Sequence, residues 1–143
     1  MWLVYAISAA ILWGLSYSLS EKILNSDISP ITLLASQMLF GAVLFSSIGY
    51  ATQLKADIAT LEGNKYLLWL LLAELLIANI GNYFISLSIQ AKNATLAGLI
   101  ELCYPIFTVL FTYLLFKQNH FNMAVLIGGS LIFSGVLVIS YFA

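Results

Sequence analysis

A chain of 143 residues that is 62% hydrophobic and only 8% charged, with mean hydropathy +1.02, cannot clothe a water-facing surface, for which a soluble domain uses roughly 25% charged residues. The net charge is −1 and arginine is absent, so no basic stripe exists to hold phosphates and nucleic acid is excluded as a partner. The main partner of this chain is the lipid bilayer, and the fold class that follows is all-α, since only helices or closed barrels satisfy their backbone in lipid.

Five apolar segments approach or exceed the roughly 20 residues that a spanning helix requires. They run from about 2 to 20, 30 to 50, 66 to 89, 94 to 116 and 122 to 142. The connections between them, the longest being the polar stretch 51–65, are too short for a soluble domain, so residues 1–143 read as a single transmembrane domain. The first segment opens Met1-Trp2-Leu3-Val4-Tyr5 without a basic n-region, and is expected to be a permanent helix rather than a cleaved leader. Trp13, Ser16, Tyr17 and Ser20 share one of its sides. The second carries small residues at Ala35, Ala42, Ser46 and Gly49, a spacing that lets helix backbones approach closely.

In the third segment Glu74, Ala78, Gly81 and Ser88 form a small or polar stripe with Asn82 at its margin and Tyr83 beside it. In the fourth, Ala94, Glu101 and Thr108 recur every seven residues, with Gly98, Pro105 and Thr112 between. Lipid penalises such stripes, whereas a helix interface or a water-filled cavity accepts them. Glu101 is the most informative residue. A helix would bond the N–H of residue 105 to the carbonyl of residue 101, and Pro105 has no N–H to give. An ionisable group at membrane depth costs on the order of 2.5–3.5 kcal/mol by insertion scales, which marks it as a functional site.

The 1.5 Å rise per residue puts Glu74 roughly 12 Å and Glu101 roughly 10 Å from the ends of their segments, on either side of the midplane. Burial disfavours the charged form of a carboxyl, which suits both to carrying a proton and Glu101 to binding substrate. Trp13, Ser16, Tyr17, Asn82, Tyr83, Tyr104, Pro105 and Thr108 are the candidate cavity lining, and aromatic rings near a carboxylate suit an organic cation. Trp2, Tyr66, Trp69 and Tyr141 read as interfacial anchors. In the fifth segment Ala124, Gly128 and Gly135 form a small-residue face for helix packing or dimerisation. The single Cys103 and single His120 make no disulfide or metal cluster, and no cofactor or enzymatic machinery is expected, for there is neither a nucleophile with its base nor a phosphate loop.

Five crossings place the termini on opposite sides of the membrane. One side then collects Lys55, Lys65 and Lys117 and the other Lys22 and Lys92, a bias too small to fix orientation firmly.

Trp13-Gly14-Leu15-Ser16-Tyr17 resembles the first-helix signature of the drug/metabolite transporter superfamily in its EamA-type branch. Asn82-Tyr83-Phe84 and Ala94 through Thr108 resemble the third-to-fourth-helix hairpin of the same domain, proline included, and Ile127 through Leu137 resembles its fifth helix. The resemblance implies an inner-membrane carrier of small metabolites or drugs. Ten-helix relatives contain two five-helix repeats of inverted topology with the site between them, an architecture shared in outline with the small multidrug resistance transporters. This chain is equivalent to one repeat, and departs from the family where Phe116-Lys117-Gln118-Asn119 replaces a frequent glutamate. The expected function is therefore secondary transport of a small-molecule substrate, proton-coupled through Glu101, by an antiparallel homodimer or with a partner half. A flippase for a lipid-linked headgroup and a non-transporting assembly subunit are the alternatives.

Overall fold

The computed structural model describes residues 1–142. It contains seven helices and no strand among the described residues: α1 (Trp2–Leu24), α2 (Pro30–Ala51), α3 (Leu54–Gly63), α4 (Lys65–Ala91), α5 (Ala94–Glu101), α6 (Tyr104–Phe116) and α7 (Met123–Phe142). Five stretches are long and apolar enough to cross a membrane, with α5 and α6 together making the fourth. The five-span expectation holds.

The starts of four spans are written in side chains that satisfy the orphan N–H groups of a first turn. Ser29 accepts from the Thr32 N–H at 3.2 Å with Pro30 in the first turn, Asn64 from Leu67 at 3.2 Å, Asn93 from Leu96 at 2.8 Å and Asn122 from Val125 at 2.9 Å. Lys117 ends α6 in the left-handed region at φ 56°, with its N–H on the Tyr113 carbonyl at 3.0 Å.

Three features depart from the sequence reading. The polar stretch 51–65 is not a plain loop but contains the short helix α3, which rests against α2 and α4. Leu54 and Leu61, one heptad apart, are its partly buried residues, so a short amphipathic helix lies over the bundle end. The first span continues four residues beyond Ser20, bringing Glu21 and Lys22 into α1. The fourth span is broken rather than continuous: α5 stops at Glu101, a turn follows at Leu102 and Cys103, and Pro105 sits in the first turn of α6. Proline is tolerated there because the first N–H groups of a helix have no intrahelical partner.

The tightly packed part of the molecule lies at one end, where the C-terminal turns of α1 and α4 meet the N-terminal turns of α2 and α5. Leu24, Leu33, Ile89, Ala94 and Ala97 are the buried apolar residues, with Tyr17 and Ile85 packed against them. Almost all other large apolar side chains face outward, as expected where the surroundings are hydrocarbon rather than water. α7 packs against α5. Its contact with α6 uses Gly129, where an added Cβ would stand 3.6 Å from Ile106. Ala124, Gly128 and Gly135, the small-residue face picked out from the sequence, point elsewhere: Cβ atoms added at Gly128 and Gly135 would meet nothing within 4 Å.

Candidate functional site

Two cross-helix hydrogen bonds to carboxylates tie α1 to α5. At the packed end, Glu21 accepts from the Ala94 N–H at 2.7 Å, so the first turn of α5 is capped by the Asn93 side chain and by a negative charge from a neighbouring helix. A carboxylate at a helix N-terminus stabilises by roughly 0.3–1 kcal/mol, more when partly buried. Two turns further along α5, the Tyr17 hydroxyl donates to Oε2 of Glu101 at 2.5 Å. Both residues are partly buried.

Gly98 makes that second contact geometrically accessible. It precedes Glu101 by three residues, on the same face of α5, and lacks the Cβ that would stand 3.4 Å from Cδ2 of Tyr17. One edge of the Tyr17 ring, Cδ2 and Cε2, therefore lies against α5 at Gly98, and its hydroxyl reaches past the glycine to the acid. Trp13, one turn earlier on α1, packs edge-on to the same ring with centroids 5.7 Å apart. Tyr17 is held on two sides.

A cavity of about 300 Å³ opens between α1, α2 and α4. Its wall on α1 is Trp13, Ser16, Tyr17 and Ser20; on α2 it is Leu34, Gln37 and Met38; on α4 it is Asn82, Ile85, Ser86 and Ile89. On each helix these positions recur at three- and four-residue steps, which is one face per helix. No charged residue lines it. Tyr17 is shared: its ring lines the cavity while its hydroxyl holds Glu101.

Of the expected lining, the structure brings together Trp13, Ser16, Tyr17 and Asn82, and couples Glu101 to them through Tyr17. Tyr83, Tyr104, Pro105 and Thr108 do not line this cavity. Tyr83 points past it, with its ring tilted toward Phe84, while Tyr104 and Pro105 are carried out of line by the break after Glu101 and are exposed. The Thr108 hydroxyl bonds back to the Tyr104 carbonyl at 3.1 Å. Glu74 also lies apart. With Ala78, Gly81 and Ser88 it is exposed on the single chain, because α4 turns its Asn82, Ser86 and Ile89 face inward instead.

Gln37, Ser20 and Ser86 complete the cavity, and Glu21 ties α1 to α5. The signal for Ser20 and Ser86 was spacing: Ser16 and Ser20, and Asn82 and Ser86, are pairs four residues apart. Gln37 is an amide alone in an otherwise hydroxyl-bearing or apolar span.

The arrangement of five apolar spans agrees with the one comparison that matched. The model of the EamA-like transporter family covers residues 1–141, whereas no curated protein and no solved structure matches the chain. The chain is a multi-pass integral membrane protein and belongs to the EamA-like transporter family, whose members move small solutes across membranes.

Proposed function

We propose that the chain is one half of a proton-coupled secondary transporter for a small organic solute, with Glu101 as the proton carrier and Tyr17 as the link between proton and solute. The carrying observation is that Tyr17 belongs to both places: its ring lines the cavity and its hydroxyl donates to the Glu101 carboxylate. An ionised Glu101 accepts that hydrogen bond. A solute group that draws the Tyr17 hydroxyl into the cavity leaves the carboxylate without its donor, and an unpartnered carboxylate in a low-dielectric site takes up a proton. Solute occupancy and protonation thereby bias one another, and the bias is reciprocal by linkage.

The second half is a further copy in antiparallel orientation. Glu74 supports this, since it stands about nine residues, or roughly 14 Å, into α4 and is exposed with no hydrogen bond on the single chain. At an insertion cost of about 2.5–3.5 kcal/mol, an acid facing lipid at that depth calls for cover. The outward face of Ala124, Gly128 and Gly135 offers a close helix approach, and the three-to-two lysine distribution permits both orientations. The cytoplasmic membrane is the proposed location.

The test is solute-driven proton movement in vesicles that hold purified protein and a trapped pH-sensitive dye, with single-cysteine cross-linking at the α7 face on the same preparation. Wild type moves protons when solute is added, Glu101→Gln inserts and binds but moves none, and Glu74→Gln is milder. Unchanged proton movement in Glu101→Gln overturns the carrier role, and cross-links formed only between parallel copies overturn the antiparallel pairing.

A further inference from the structure

We infer that the α1–α2–α4 cavity recognises a compact, uncharged solute bearing several hydroxyl or amide groups, of about monosaccharide to nucleoside size, and not an organic cation. The inference rests on the reading of this cavity as the transport site and names what it takes.

The cavity wall holds unused hydrogen-bonding capacity. Many polar side chains within the spans spend theirs on their own helix: Ser18, Ser36, Ser47, Asn79, Ser86 and Ser130 each donate to the carbonyl four residues earlier, at 2.7–3.0 Å. That habit is expected where water is absent. Ser16, Ser20, Gln37 and Asn82 depart from it, as do Ser8, Ser46, Ser88, Thr112 and Ser140 outside the cavity. The first four line the cavity, and among the described residues none of their side chains has a hydrogen-bond partner. Ser20 is the telling member: it is only 7% exposed and its hydroxyl bonds to nothing in the chain, yet among the described residues no polar side-chain atom is both buried and unpartnered, so the small exposed part of Ser20 includes the hydroxyl, which is open to a water or ligand partner.

The chemistry of the partner follows from the groups on offer. Two hydroxyls and two carboxamides, contributed by three helices, each donate and accept. Together they match a neutral molecule with mixed donors and acceptors, while an ammonium brings donors only. The lining offers no counter-charge, and the nearest functional acid already accepts from Tyr17. Trp13 adds a flat apolar face, on which either a nucleobase or the C–H face of a sugar ring can lie. The volume of about 300 Å³ stands at the lower end of small-molecule sites, which sets the size.

Trp13 supplies the readout. The other two tryptophans, Trp2 and Trp69, lie outside the cavity lining, so in a protein with Trp2→Phe and Trp69→Phe all tryptophan emission comes from Trp13, which lines the cavity and is 56% exposed on the single chain. Purified full-length protein in nanodiscs is titrated with D-glucose, with uridine and with tetraethylammonium. The expected result is saturable change of Trp13 emission with at least one of the two neutral probes and none with tetraethylammonium. Gln37→Leu and Asn82→Leu weaken that binding at least about tenfold. Ser20→Ala weakens binding without lowering the unfolding temperature, since the hydroxyl it removes bonds to nothing in the chain, and this separates a ligand contact from a structural one. Saturable binding of tetraethylammonium that depends on Glu101 overturns the inference, as does the absence of binding by both neutral probes or binding indifferent to Ser20, Gln37 and Asn82. Binding of a neutral probe by protein that moves no protons keeps this inference and removes the proton coupling; proton movement driven only by the cation does the reverse.

Discussion

Tyr17→Phe removes one oxygen from the centre of the site and leaves the rest of the ring in place against Gly98 and Trp13. The change therefore isolates the 2.5 Å hydrogen bond to Glu101 from the packing of the aromatic ring. Hydrogen bonds between membrane helices average about 0.6 kcal/mol and reach about 1.7 kcal/mol. A short bond to a carboxylate belongs at the upper end of that range, because charge-assisted bonds are roughly twice as strong as neutral ones. A double-mutant cycle of Tyr17→Phe with Glu101→Leu should give a coupling of about 1.5 kcal/mol, read from reversible unfolding in mixed micelles by circular dichroism. Additive effects, with a coupling within about 0.3 kcal/mol of zero, would refute the contact and with it the link between the cavity and Glu101.

Gly98→Ala should be neutral or stabilising by up to about 1 kcal/mol, since helix propensity improves and the new Cβ only touches the Tyr17 ring; Gly98→Leu must displace that ring and should cost about 1–3 kcal/mol while abolishing transport. Thermal unfolding and vesicle transport on the pair would distinguish these outcomes. Glu21→Gln keeps an acceptor for the Ala94 N–H but loses the charge at the α5 N-terminus, a loss of about 0.3–1 kcal/mol, and Glu21→Ala loses both and should cost more; equal stability of the two variants would show that the charge alone matters. Two lysines added to the Gln90–Asn93 loop should lock one orientation of a chain whose lysines are divided three to two, as measured by reporter fusions at both ends.

The spans were legible in the sequence because lipid imposes one requirement, a run of about 20 apolar residues. α3 was not, because its charges made residues 51–65 read as a solvated loop; the spacing of Leu54, Ile58 and Leu61 was the available sign of a helix lying over the bundle. Glu21 was assigned to a connection for the same reason, although charged residues at a span end often belong to its last turn. Glu101 and Tyr17 were each recognisable as polar or amphipathic groups at membrane depth. Their contact was not, since 84 positions separate them and no local pattern encodes a pairing between helices. Glu74 drew attention for its chemistry alone, and the face of α4 that turns inward was decided by Ile89 and Ser86, whose burial depends on where α1 and α2 stand.

The five buried apolar residues and both carboxylate bonds between α1 and α5 lie within residues 17–101. During synthesis from the N-terminus, every partner of those contacts has been made before α6 and α7 have emerged. The last two spans then enter the membrane beside a corner that has already closed, and the turn at Leu102 and Cys103 marks the boundary between what folds first and what docks afterwards. α6 and α7 are accordingly the part of the chain whose position is set by late contacts, such as those of α7 on α5.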